Sequence, residues 1–170
     1  MRRSIMIALL ALLALVAAAP MSDAARPKNP NAPVPVQGSQ VLEPGAVFGR
    51  CDFPILYELS GKAKLITLPG GRFITTAPDQ YATLTPILPN GDLDLAHQQR
   101  INITGSFHQS TDEEGNVVTV ATGRNILGDP EAGFVLAIGN FSYVFDADNN
   151  LVQPLQGEGQ LIDICELLSS

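Results

Sequence analysis

Hydrophobic and polar residues alternate with a period of two along most of the chain after residue 50. Phe53, Ile55, Tyr57 and Leu59 fall on one side of an extended segment, and residues 101–107 repeat the pattern. A period of two predicts strands that bury one face. Apart from the N-terminal region, no segment keeps a helical apolar stripe for more than two turns. The pattern therefore predicts an all-β domain.

Turn signals divide this domain into about eight strands. Asn90-Gly91 is a typical hairpin dipeptide, and glycines or polar clusters punctuate the other boundaries. A short helical turn over residues 165–168 is compatible with the sequence. We predict strands at 52–59, 62–68, 71–76, 80–88, 95–108, 116–127, 133–146 and 157–164.

The seventh predicted strand changes phase, because its apolar positions are even as far as Ile138 and odd from Phe141 onward. An extra residue at Gly139-Asn140 would keep both sets on one face, which predicts a β-bulge there. Bulges allow a sheet to curl and close. We therefore expect an antiparallel barrel of about eight strands, with a β-sandwich as the alternative.

The N-terminal region divides into two further segments. Arg2 and Arg3 precede an apolar run over residues 5–19, which is shorter than the roughly 20 residues of a membrane span. Residues 1–24 therefore fit a cleaved signal peptide, with an uncleaved anchor as the alternative. The proline-rich residues 25–45 fit a disordered tail. We expect residues 46–170 to form the β domain of a secreted, extracellular protein without a membrane span after processing.

Two cysteines bracket the domain. Cys51 opens it and Cys165 closes it. Paired cysteines are usual in exported proteins, so we predict one disulfide that joins the domain ends. Two separate buried thiols are the alternative.

Charge excludes some classes of partner. The full chain has a net charge of -7. An acidic surface repels phosphate backbones and anionic lipids, so neither nucleic acid nor an anionic membrane is an expected partner. We expect a monomer.

The sequence predicts no metal, cofactor or catalytic site. Neither His97 nor His108 lies in a metal-binding motif, and a site built from His97 with Asp92 and Asp94 is not favoured. The segment 146–157 begins like an EF-hand loop but lacks its central glycine and its final glutamate, so a polar turn is expected. Nucleophile elbows, phosphate loops and dinucleotide fingerprints are missing too.

Three arginines are the candidate ligand-binding residues, because cations are scarce and each lies in or beside a predicted strand: Arg72, Arg100 and Arg124. If Arg124 points inward, it needs a buried acid or an anionic ligand as partner. If it lies at a strand end, it reaches solvent.

Short motifs give the domain a resemblance to a known group. They are Cys-x-Phe-Pro at 51–54, Gly-Arg at 71–72, Thr-Gly-Arg at 122–124 and Asp-Ile-Cys-Glu-Leu at 163–167. Most of residues 50–168 resembles the uncharacterised small secreted β-proteins of actinobacterial type. The resemblance implies the β fold and the disulfide, and that group has no established activity.

The favoured function is therefore an exported, non-enzymatic binding or interaction module. Its partner would be a small molecule, such as an apolar ligand in a barrel interior, or a protein docked on the outer face. The alternative is a barrel enzyme of cyclase or isomerase type that uses Arg124 with a nearby carboxylate.

Overall fold

The computed structural model describes residues 32–45 and 51–170. The expected signal peptide and the first part of the expected tail lie outside these residues. The described chain contains nine strands and one short helix: β1 Val34–Leu42, β2 Ile55–Leu68, β3 Arg72–Thr76, β4 Tyr81–Pro86, β5 Gln99–Asn102, β6 Gly105–Thr111, β7 Val117–Asp129, β8 Gly133–Phe145, β9 Leu151–Asp163 and α1 Ile164–Ser169.

The nine strands form one antiparallel sheet in the order β5-β4-β2-β3-β6-β7-β8-β9, with β1 added on β2. β2 pairs with β1 and β4 through its first half and with β3 through its second. Within the described residues, hydrogen bonding does not join β9 back to the other end. The all-β prediction is confirmed, and the strand pairing does not close the sheet into a barrel.

The predicted strand bounds are wrong in three places. The last predicted strand, 157–164, begins at Leu151 and ends at Asp163. The segments predicted at 52–59 and 62–68 are one strand, β2. Gly61 lies between them with a positive φ of 123°, which glycine tolerates, and it still pairs with Val36 of β1.

The segment predicted at 95–108 is interrupted between β5 and β6. There the Asn102 side chain accepts a hydrogen bond from Thr104 N at 2.9 Å, and this local bond competes with strand pairing.

The prediction of a disordered tail is wrong for residues 34–42, which form β1. All nine residues pair with β2, from Val34 opposite Ala63 to Leu42 opposite Ile55. The edge of β2 supplies the hydrogen bonds, and Leu42 is buried in the core. Pro35 is tolerated because β1 is an edge strand.

The predicted bulge at Gly139-Asn140 is also wrong. The β7–β8 register is continuous through both residues, and the irregularity of β8 lies between Ser142 and Phe145, against β9. The phase change has a different cause, which is that both faces of β8 are covered. Phe134 and Leu136 pack in one apolar cluster, whereas Val135 and Ala137 pack in another.

The first cluster, called cluster 1, contains the even-numbered side chains of residues 134–138, packed with side chains of β2, β4, β5 and α1. Its fully buried members include Ile55, Leu84 and Ile164. Cluster 2 lies on the odd side and includes Ala121, Leu127 and Phe141, with Phe107, Tyr143 and Leu155 packed against it. The first half of β8 therefore lies between the two clusters.

A row of glycines allows the strands to bend so that the first half of β8 lies between the two clusters. Gly105, Gly123, Gly139 and Gly159 lie opposite one another across β6, β7, β8 and β9. A Cβ at Gly139 would collide with the Glu158 carbonyl oxygen, so the strands approach too closely there for any side chain. Glycines of this kind allow a sheet to bend sharply.

The bend folds the end of the β7–β8 pair back over β9. Asp129 pairs with Gly133 beside the turn between β7 and β8, yet its carboxylate accepts a hydrogen bond from Leu155 N at 2.8 Å. Leu155 precedes Gln156, which lies opposite Ser142 near the other end of β8. The contact between Asp129 and Leu155 brings the β7–β8 turn to the middle of β9, and residues 124–138 are called here the folded-back hairpin.

The chain ends on a helix that completes cluster 1. Asp163 caps α1 by accepting hydrogen bonds from the backbone N–H groups of Cys165 and Glu166, and Ile164 and Leu168 are buried. Cys165 forms the predicted disulfide with Cys51 across 114 positions. Among the described residues, no helix has the length and apolar character needed to cross a bilayer.

Candidate functional site

A row of polar side chains runs beside the glycine row on the side of β6–β9 that faces away from cluster 2. Thr122 follows Ala121 on β7, and Asn140 precedes Phe141 on β8. Ala121 and Phe141 belong to cluster 2, so alternation places Thr122 and Asn140 on the opposite face. We call this side the outer face. Pairing defines the polar row as Lys64, Thr76, Ser106, Thr122, Asn140 and Glu158.

Two open depressions lie on this row. The first has a volume of about 390 Å³ and includes Thr76, Ser106 and Thr122, with Ala77 and Pro78 as an apolar wall. The second has a volume of about 270 Å³, and its lining includes Asn140, Glu158, Ser142, Gln156 and Val120. Gly105 and Gly123 line the first and Gly157 the second, so missing side chains help to create the space.

The chemistry of the polar row is that of neutral hydrogen-bonding groups between two charged ends. The Ser106 Oγ and Thr122 Oγ1 atoms are 2.7 Å apart, so each hydroxyl has the other as a partner. A hydroxyl is not a general base at neutral pH, and this pair therefore does not activate a nucleophile. Hydroxyls and amides arranged in this way can donate to and accept from a neutral polar ligand.

The structure does not bring the three candidate arginines together. Arg72 is exposed at the β2–β3 turn, where its Nε donates to the Pro69 carbonyl oxygen at 3.3 Å. Arg100 is exposed on β5, and its guanidinium lies 3.7 Å from the centre of the Tyr81 ring. That distance is a cation–π contact, so both side chains already have partners within the protein.

Arg124 has a structural contact of its own. Its Nε donates to the Asn102 carbonyl oxygen at 3.0 Å, and its side chain is half-buried. This bond ties the start of the folded-back hairpin to the end of β5. The partner of Arg124 is therefore a backbone carbonyl rather than the buried acid considered from the sequence.

The two histidines also occupy different settings. His108 is exposed on the outer face. The His97 Nδ1 atom lies 2.7 Å from the Asp94 Oδ2 atom, and this hydrogen bond lowers the pKa of the Asp94 carboxyl below its usual value. Among the described residues, no three His, Cys, Asp or Glu side chains are grouped so that they could hold a metal ion.

The turn at 146–150 is closed by its own carboxylate, as a polar turn requires. Asp146 Oδ1 accepts from Asp148 N and Asn150 N, and Oδ2 accepts from Asn150 Nδ2 at 2.9 Å. The bonds with Asn150 lower the pKa of the Asp146 carboxyl. Both carboxylate oxygens therefore serve the turn.

Sequence reasoning missed the polar row and the loop at residues 87–98. The row is formed by residues up to 94 positions apart, from Lys64 to Glu158, so only the strand register brings it together. In the loop, Leu88, Leu93 and Leu95 are exposed. The available signal was that leucines flank and alternate with the turn-forming residues Asn90, Asp92 and Asp94.

Comparison with protein-family models, with curated proteins and with solved structures finds no match for this chain.

Proposed function

We propose that this protein is an exported, non-enzymatic binding module that takes up a small neutral polar ligand on its outer face. One observation carries the proposal, which is that both open depressions lie on the same row of hydroxyl and amide groups. The first depression has no charged side chain in its lining, which suits a neutral ligand, since a charged ligand needs a charged partner to offset its desolvation. The second depression adds Glu158 at the end of the row. Pro78 and Val120 supply apolar contact beside the hydrogen-bonding groups.

This placement replaces the interior site suggested by the sequence. The inward-facing side chains fill cluster 1 and cluster 2, with Ile55, Leu84 and Ile164 fully buried. An apolar ligand inside the domain would have to displace these side chains. The outer face needs no such rearrangement.

A cyclase or isomerase centred on Arg124 is less well supported. Such an enzyme needs the guanidinium and a carboxylate to face a shared pocket. Arg124 donates to the Asn102 carbonyl, and neither depression includes Arg124 in its lining.

The proposal includes a finer view of the architecture and of the setting. We take the bent sheet as a layered, sandwich-like arrangement rather than a closed barrel, because cluster 1 joins β2, β4 and β5 to the folded-back hairpin. The disulfide suits an exported, extracellular monomer. Membership of the small secreted β-proteins of actinobacterial type is part of the same proposal.

The proposal is tested by amide chemical shifts in the ¹⁵N-labelled exported protein. Maltotriose and cellotriose serve as neutral polar probes, and a fatty acid serves as the apolar probe. We expect a saccharide to shift the amides of Thr76, Ser106, Thr122 and Asn140. The fatty acid should leave the spectrum unchanged.

Thr122→Val tests the contribution of the row, because it removes a hydroxyl while keeping the shape of the side chain. We expect about a tenfold loss of affinity, as for a lost hydrogen bond to a ligand. Thr67→Val, an exposed threonine on β2 that is not in the row, is the matched control. If the fatty acid instead shifted the amides of Ile55 and Leu84, the ligand site would lie in the interior of the domain and the proposal would be wrong.

A further inference from the structure

The connection between β4 and β5 exposes three leucines within eight residues. Leu88 is 40% exposed, Leu93 is 44% exposed and Leu95 is 66% exposed. Single exposed apolar residues are common on protein surfaces. Several of them in one short loop are typical of an interaction surface.

Backbone hydrogen bonds hold this loop in place. Leu88 N donates to the Asp92 carbonyl oxygen at 2.8 Å, and Asp94 N donates to the Pro86 carbonyl oxygen at 2.9 Å. Ile87 and Leu93 also form an isolated antiparallel bridge. The leucines are therefore presented by an ordered backbone, which reduces the entropy lost when a partner binds.

Side chains reinforce the loop and give it a negative charge. Asn90 Nδ2 donates to Asp92 Oδ2 at 2.8 Å, and Asp94 Oδ1 accepts from Ala96 N at 3.2 Å. Asp92 and Asp94 thus alternate with Leu93 and Leu95. Residues 87–98 contain no lysine or arginine, so the apolar side chains lie in an acidic setting.

We propose that residues 87–95, the leucine loop, dock a cationic segment of another protein that carries apolar side chains. The leucines pack against the apolar side chains, and the negative charge of Asp92 and Asp94 attracts the cations, which is charge complementarity between the surfaces. The hydrogen bonds of both aspartates within the loop hold these charges in place. An anionic bilayer and a second copy of this acidic chain both carry the wrong charge. The loop extends from Pro86, at the end of β4 remote from the polar row, so this surface is separate from the outer-face site.

The test uses the exported protein with an amphipathic peptide of alternating lysine and leucine as the probe. The same peptide with glutamate in place of lysine is the charge control. We expect the lysine peptide to shift the amides of residues 87–95 and the glutamate peptide to shift none of them. A response of those amides to both peptides alike would overturn the charge argument.

Variants separate the leucines from the overall acidity of the chain. The double variant Leu88→Ser/Leu95→Ser should weaken binding of the lysine peptide by about tenfold or more, as expected when buried apolar contacts are lost. Leu65→Ser is the matched control, because Leu65 is 58% exposed on β2 and should keep the affinity unchanged. Equal losses in both variants would contradict the proposal.

Two further measurements complete the test. Vesicles of zwitterionic lipid and vesicles containing anionic phosphatidylglycerol should leave the loop amides unshifted, and sedimentation should show no loop-dependent dimer. Binding of either vesicle through Leu88 and Leu95, or a dimer that these two substitutions abolish, would overturn the assignment to a protein partner.

Discussion

Asp129 shows how a single buried side chain holds two parts of the fold together. It is 4% exposed, and its Oδ1 accepts from Glu131 N and Ala132 N, both at 2.9 Å. Its Oδ2 accepts from Leu155 N at 2.8 Å. Hydrogen bonds to a charged acceptor are stronger than neutral ones, so one carboxylate fixes both the β7–β8 turn and its contact with β9.

We expect Asp129→Ala to lower the free energy of unfolding by about 3 kcal/mol, because it leaves three backbone donors without their acceptor. Urea denaturation measures the loss. Asp148→Ala, at an exposed turn position, is the control and should change stability by less than about 0.5 kcal/mol. A similar cost for both variants would show that Asp129 does not hold the folded-back hairpin.

Tyr57 gives the protein a dependence on alkaline pH. Burial raises the pKa of its hydroxyl to about 12, because the anion is poorly solvated there. The folded state therefore favours the neutral form, so this contribution to stability is complete below pH 10 and is lost as the pH rises toward 12. We expect a tyrosinate absorbance step near pH 12 that is smaller, by one tyrosine, in Tyr57→Phe. Burial also raises the pKa of the Tyr143 hydroxyl, so the high-pH absorbance change is reduced in the variant rather than abolished. A normal titration of all tyrosines near pH 10 would contradict this.

At the scale of elements, two hairpin turns are closed by the same pair of residues, an aspartate and the asparagine four positions after it. Asn116 N donates to Asp112 Oδ1 at 2.7 Å, and Asn116 Nδ2 donates to Asp112 Oδ2 at 3.0 Å. The Asp146–Asn150 turn repeats this arrangement. Hydrogen bonds from the asparagine lower the pKa of each aspartate.

We expect Asn150→Ala to raise the pKa of Asp146 toward its usual value while leaving that of Asp112 unchanged. A lowered pKa means that each carboxylate stabilises the fold above its ordinary pKa and loses that effect as the pH falls through the lowered value. Carboxyl ¹³C shifts across an acid titration measure both groups, and Asp112 serves as the internal control. An unchanged Asp146 pKa in the variant would refute the role of Asn150.

The glycine row gives the sharpest prediction at this scale. Gly139→Ala places a Cβ 2.8 Å from the Gly159 Cα atom at a φ of 149°, so we expect a loss of about 3 kcal/mol in the free energy of unfolding. Gly115→Ala is the matched control. Gly115 has a φ of 88°, but a Cβ added there would meet no other atom within 4 Å, so its cost should be about 1 kcal/mol. Equal losses of unfolding free energy in the two variants would mean that the glycine row is not needed for the close approach of the strands.

At the scale of the whole molecule, the disulfide closes nearly the entire described domain. Its loop of 114 positions is worth about 4–5 kcal/mol in the chain-entropy model. We expect the double variant Cys51→Ser/Cys165→Ser to lose stability of that order in urea. Reductant should destabilise the native protein by the same amount and leave the double variant unaffected, and a native protein insensitive to reduction would contradict this.

Most local features of this fold could be predicted from the sequence. Period-two alternation predicted most strands of the sheet, and the two cysteines predicted the disulfide. It missed β1, where prolines obscured the pairing, and it assigned the phase change in β8 to a bulge. Alternation shows that a face is apolar but not which partner covers it, so burial of both faces of residues 134–137 could not be deduced.

The candidate sites were harder to predict, because they depend on register. Four glycines separated by 16 to 20 positions in the sequence meet only when β6–β9 pair as they do. The same pairing assembles the polar row. The three arginines were selected for their scarcity, which says nothing about where their side chains lie in space.

The position of the covalent cross-link has a consequence for proteolysis. Every exposed turn from β2 to β9 lies between Cys51 and Cys165. A protease that cuts one peptide bond, for example at the tip formed by Glu113 and Glu114, therefore releases no fragment. The nicked chain keeps its mass plus one water, and the two pieces separate on a gel only after reduction.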